Sequence, residues 1–317
     1  TVDAGTAAGA DLNTIDAATT GLITATGVTT ITGTAAELVT LINNEGDAGN
    51  KVNLDGDFAV TITDIPTNAQ LEIIDAATTG AISYGSGVTV TGQSVTASYL
   101  NTLDGDTTGT VNASAVTMIT GTASEIKTVY ASSGISGLGN EEITLSAGSA
   151  AAADLNTINA ATTALVTATN ITAITGTASA VKAVIDAEAD TGNAINLDTD
   201  FTVTVDAGTA AAADLNAISA KTTGNITATN VTAITGTASE IATLISDEAD
   251  SGNGVNLAAN VKATVTGNVA AADLTTINNG TTGLITATGV TTITGTAAAV
   301  KAVIDAEADT GNAINLD

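Results

Sequence analysis

Apolar residues recur along this chain in two alternating rhythms. In the first, a small residue, a short spacer and an aliphatic open a stretch of helical period, as in "AAELVTLI" and "ASEIATLI". Leu38, Leu41 and Ile42, or Val181, Val184 and Ile185, fall three and four apart and share one helical face. In the second, apolar and polar residues alternate. Ile195, Leu197, Thr199, Phe201, Val203 and Val205 would line one face of a strand, with Asn196, Asp198, Asp200, Thr202 and Thr204 on the other. Val52, Leu54, Gly56, Phe58, Val60 and Ile62 repeat that arrangement, and "ITATNVTAITGT" (226–237) reads as two briefer strands bent at Asn230.

The helical openings are anchored at Leu12, Leu38, Leu71, Leu100, Ile126, Leu155, Val181, Leu215, Ile241, Leu274 and Val300. Their spacings run 26, 33, 29, 26, 29, 26, 34, 26, 33 and 26 residues, a short coil alternating with a longer one. Coil pairs cover about 1–63, 147–205, 206–266 and 267–317, with an irregular stretch at 64–146. Three openings carry a capping box, a Thr followed three residues later by Glu: Thr34 with Glu37, Thr122 with Glu125, Thr237 with Glu240. Thr177 keeps the cap but has Ala180 in place of the Glu, and Asn43 and Gly192 stand where helices should stop.

One coil cannot bury its own aliphatic face, so neighbours must stack on it. The expected fold is α/β, a repeat solenoid of about eleven stacked helix–strand coils with a parallel sheet. Strands stack about 4.8 Å apart, whereas packed helices need about 8–10 Å. The array must therefore curve, stagger, or shrink its helices to single turns. The alternative is an all-β parallel β-helix in which "ADLNTI" segments are tight corners. "VKAVIDAEADTGNAINLD" fills 181–198 and returns as 300–317, and "TVDAGTAA" opens the chain and recurs at 204–211. Both ends fall inside a unit, so residues 1–317 read as one continuous array, a window of a longer chain.

Composition then narrows the chemistry. There is no Cys, His, Trp or Arg, which removes thiolate nucleophiles, imidazole bases and the usual zinc and haem ligands. Catalysis needs one distinct constellation, whereas "GLITATGVTTITGT" is identical at 21–34 and 283–296; the reading is not an enzyme. A net charge of −27 with six Lys argues against a nucleic-acid partner and against an anionic membrane surface. No apolar run reaches the roughly twenty residues of a membrane span, so no membrane insertion is expected.

What remains are oxygen ligands suited to calcium. The acidic loop after each long-coil helix is the candidate metal site. It gathers Asp186, Glu188, Asp190, Asn193, Asp198 and Asp200, with counterparts Glu45, Asp47, Asp55 and Asp57; Asp247 and Asp250; and Asp305, Glu307 and Asp309. The cofactor implied is Ca2+, though not through an EF-hand: counted from Asp186, Gly192 is seventh and Leu197 stands at the twelfth position. The competing reading is a solvated acidic turn. Thr-rich strands admit an ice-binding surface, or simply the polar face of a strand. Tyr84, Tyr99 and Tyr130 all lie in the irregular stretch.

"ADLNTIDAATTG" (10–21), "ITGTASEI" (119–126, 234–241) and "ASSGISGLGNEEITLS" (131–146) resemble repeats of very large secreted cyanobacterial surface proteins of the calcium-binding or β-strand-repeat type. "TAAEL" followed by Leu-Ile is also similar to short repeats of phage tail fibres. The first resemblance implies an extracellular structural protein at the cell surface, self-associating into a fibre, sheath or surface layer. An adhesive or ice-binding module and a phage fibre segment are the alternatives.

Overall fold

In the computed structural model the described residues are all but 47, 48, 50, 85, 86, 108, 189–193, 249–253, 308–313 and 317, and the side chain of Asn68. Eleven helices alternate with short strands among them: α1 (Gly9–Ala18), α2 (Ala35–Asn43), α3 (Asn68–Ala77), α4 (Ala97–Asp106), α5 (Ala123–Ala131), α6 (Ala152–Ala161), α7 (Ala178–Glu188), α8 (Ala212–Ser219), α9 (Ala238–Glu248), α10 (Ala271–Gly280) and α11 (Ala297–Glu307). The fold is α/β with parallel sheets. The "ADLNTI" segments are therefore not corners: they lie in α1, α6 and α8, helices of 8–10 residues. That length excludes both the all-β alternative and single-turn helices.

Local chemistry explains the helix starts. Thr34, Thr122 and Thr237 each accept from the backbone N–H three residues on, and the Glu there accepts from the Thr backbone N–H at 2.8 Å. Thr177 caps Ala180 alone. A fourth box, Thr67 with Gln70, escaped the sequence reading because its partner is Gln, not Glu. All the anchoring aliphatics are buried except Val300, which is partly exposed.

The chain forms two compact units, residues 1–120 with 128–139, and residues 121–127 with 140–317. In the first, the main row of strands runs Gly5–Ala8, Val28–Gly33, Ala59–Ile62, Ile82–Tyr84, and α1, α2 and α3 pack in succession. In the second, one row runs Gly148–Ala151, Ile171–Gly176, Thr202–Val205, Ile226–Ala228, Val255–Leu257, and α6 to α11 pack in succession.

The long alternating segment is two strands, not one. Ile195, Leu197, Phe201, Val203 and Val205 are buried as expected, but Thr199 is exposed where the chain bends between Ile195–Leu197 and Thr202–Val205. This break lets the rows slip. Val203 pairs with Ile174, 29 residues back, and with Ile226, 23 residues on. Two steps along the row thus cover 52 residues, whereas two steps along the helices, Leu155 to Leu215, cover 60. The row drifts by the difference, 8 residues per pair of repeats. Inclined rows keep a strand spacing of about 4.8 Å while each repeat advances by a helix width of about 8–10 Å. Staggering is the solution the chain adopts.

Gly208 shows the local device at the head of a row. Its φ of +128° is open to glycine, and the register shifts between Gly208 and Thr209.

Candidate functional site

The expected cation ligands are placed as follows. Asp186, Glu188, Asp247, Asp305 and Glu307 lie in the last turns of α7, α9 and α11, none of which carries a basic residue in its last turn. Carboxylates there oppose the helix macrodipole, whose C-terminal end favours cations. Lysines meet part of that demand. Lys182 Nζ lies 2.6 Å from Asp186 and Lys301 pairs with Asp305 one turn on, while Lys221 from the following repeat reaches Glu188 at 3.1 Å. Ser219 donates to Asp247 at 2.6 Å. Burial pushes the neighbouring Glu248 carboxyl up, against a backbone hydrogen bond at Leu257.

Asp55, Asp57, Asp198 and Asp200 are exposed at the bend between the two strands, and Glu45 is exposed beside Val52. Asp55 and Asp198 accept from the next backbone N–H, Gly56 at 2.9 Å and Thr199 at 2.7 Å, forming tight local turns. Asp47, Asp190, Asn193, Asp250 and Asp309 lie outside the described residues. Among the described residues, no three acidic side chains converge on one point.

The strongest recurring side-chain arrangement is one that sequence reading passed over. Thr78, Thr162, Thr222 and Thr281, each just past a helix end, are buried. Each hydroxyl donates to the carbonyl just before a strand of the preceding repeat: Phe58, Glu141, Phe201 and Val261, at 2.5–2.7 Å. The same oxygen accepts from the backbone N–H two residues on, at Gly80, Ala164, Gly224 and Gly283. The glycine follows from this contact: a Cβ on Gly224 would sit 2.3 Å from the Phe201 carbonyl. The copy with Ala164 shows that the neighbouring strand can give way. A second joint uses Asn13, Asn156 and Asn216, whose amides donate to Glu37, Ala180 and Glu240 carbonyls on the next helix at 2.9–3.0 Å. "TTG" and "LN" at matching helix positions were the available signals.

The exposed threonines of the strands are also engaged. Thr172, Thr202, Thr232 and Thr266 donate to carbonyls of the preceding repeat at 3.2–3.3 Å. Those donors are directed along the stack, not toward solvent.

One titratable cluster stands apart, in the first unit. Tyr84 is buried and its hydroxyl has no partner among the described residues; burial first, then the Asp106 charge, pushes its phenol up. Burial and the Asp75 charge raise Asp106 to about 6, and its Oδ2 is buried without a partner among the described residues. A carboxyl raised in the folded state stabilises the protein below its unfolded value, and that contribution is lost as pH rises through about 6. Wild type should therefore gain thermal midpoint as pH falls from about 7 to 5, the flanks of that transition. Asp106→Asn should melt higher than wild type at about pH 7.5, with a shallower rise on acidification. Superimposable melting curves at both pH values would refute this.

Set against known protein families, curated proteins and solved structures, the chain matches none. Among the described residues, no helix is long and apolar enough to cross a membrane.

Proposed function

We propose that this chain is a solenoid of stacked helix–strand coils serving as an extracellular structural protein, part of a surface fibre, sheath or layer. The observation that supports the reading most directly is the repetition of the inter-repeat joints. The buried Thr and its carbonyl at the entry to a strand recur at Thr78, Thr162, Thr222 and Thr281 with the same geometry. A joint reproduced after α3, α6, α8 and α10 suits a chain whose task is to extend and bear load. The sequence likeness to secreted cyanobacterial repeat proteins points the same way.

Calcium has a secondary place in this proposal. Acidic last turns at α7, α9 and α11 oppose the helix macrodipole, so a divalent ion would relieve them, in competition with Lys182, Lys221 and Lys301. Because those lysines already compensate part of the charge, calcium should stiffen the array without being required for it.

The test is electron microscopy of the protein with calcium and with chelator, at a salt concentration of about 0.15 M, paired with thermal melts. Long thin fibres or layers are expected in both conditions, with a higher midpoint in calcium. Compact monodisperse particles in both would overturn the structural reading. Equal midpoints would remove calcium from it and leave the fibre standing.

A further inference from the structure

Helices α1, α4, α6, α8 and α10 are each entered from a short strand that opens a row: Gly5–Ala8, Ser94–Thr96, Gly148–Ala151, Gly208–Ala211 and Val269–Ala270. Each of these pairs in parallel with a strand of the following repeat. Helix α3 follows a long repeat as well, yet residues 63–67 before it form no strand. The row expected there begins one step late, at Val88–Thr89, which among the described residues pairs only with Val111–Asn112.

The reason is in the sequence. Ala210 and Ile234, five residues before and nineteen after the anchor Leu215, correspond to Pro66 and Val90 about the anchor Leu71. Pro66, the single proline of the chain, has no N–H to place in a ladder. In place of the missing pairing there is a cleft of about 450 Å³, lined by Ile65, Pro66 and Thr67, by Val90, Thr91 and Gly92, and by the edge strand Ser94–Thr96. The Tyr99 hydroxyl donates to the Pro66 carbonyl at 2.7 Å and holds that wall in place. No lining residue is charged, in a chain of net charge −27. Ile65, at 43 % exposure, stands at the mouth.

We propose that this cleft binds an extended peptide strand of uncharged small and β-branched residues, added beside Val90–Gly92 and the edge strand Ser94–Thr96 that line it. The occupant's chemistry is read from the molecule itself. Where a row-opening strand is present it is short and uncharged: "GTAA" at 5–8 and 208–211, "GSAA" at 148–151, "SVT" at 94–96 and "VA" at 269–270. A strand added to an open row gains affinity from main-chain hydrogen bonds and selectivity from alternate side chains. The neutral walls disfavour charged sequences, whose desolvation nothing in the cleft would offset. This inference stands on the strand rows alone and does not depend on the fibre reading.

The probe is a labelled peptide, AGTAAAA, the sequence of residues 207–213, titrated into the intact chain and followed by fluorescence anisotropy. Saturable binding is expected. A peptide with prolines in place of Thr209 and Ala211 should bind at least about tenfold more weakly, a loss of about 1.4 kcal/mol, because two ladder donors are gone. Ile65→Asp should weaken binding by a similar factor, and because Ile65 is exposed the melt should be unchanged. Pro66→Ala restores an N–H, lets residues 63–67 pair with their own row, and should close the cleft to the peptide. No binding by wild type, or equal binding of the proline peptide, would overturn the proposal. So would affinity unchanged in both variants. A concentration-dependent dimer that both variants abolish would support it, with a second copy as the strand donor.

Discussion

Thr222→Val is expected to destabilise the protein by about 2–4 kcal/mol, although it keeps the shape of the side chain and adds apolar surface. The hydroxyl is buried, donates to the Phe201 carbonyl and accepts from the Gly224 N–H. Valine leaves both backbone groups without that partner, the Phe201 carbonyl at a buried bond and the Gly224 N–H at a partly buried one. Each such loss costs on the order of 1–3 kcal/mol. Thr223 provides the control: its hydroxyl donates to the Thr199 carbonyl, but it is exposed, so water can replace the bond. Thr223→Val should cost about 0.5 kcal/mol or less. Urea unfolding followed by circular dichroism measures both, and equal midpoints for the two variants would show that the buried joint contributes nothing special.

The second large effect separates sequence from context. "GLITATGVTTITGT" occurs at 21–34 and at 283–296 without a single difference. Ile31 in the first copy is 0 % exposed, between strands Gly5–Ala8 and Ala59–Ile62. Ile293 in the second copy is partly exposed and pairs with Val269. Ile31→Ala should therefore cost about 2–5 kcal/mol, the usual range when a core side chain is cut to a methyl group. Ile293→Ala should cost about 1 kcal/mol, because part of the removed surface already faces water. Similar urea midpoints for the two variants would mean that the second copy is as buried as the first.

The candidate cation site divides along the same line. The acidic residues and their recurrence after each long-repeat helix are plain in the sequence. Their companions are not. That Glu188 meets Lys221, 33 residues on, follows from packing the end of α7 beside the end of α8. Asp198 and Asp200 sit at a bend, because the alternation that promised one strand is interrupted at exposed Thr199. The cleft beside Pro66 was equally out of reach: proline announces a break in a ladder, but which rung it removes depends on the slipped register.

By itself, the sequence determined what is local or periodic: helices from the three-and-four spacing around Leu38, Val181 and their counterparts, starts from the Thr–Glu boxes, buried strand faces from strict alternation. These need only a few neighbouring residues, so a short stretch carries them. Only the tertiary structure decided the stagger of the rows, the burial of Thr222, and the different fates of two identical segments. Those depend on what lies in the repeat before and after. The Thr222 hydroxyl finds its carbonyl 21 residues back, and Ile31 is dry because strands on both sides cover it. A hydrogen bond or a buried surface is a property of two partners, and in each of these cases one deciding partner belongs to another repeat.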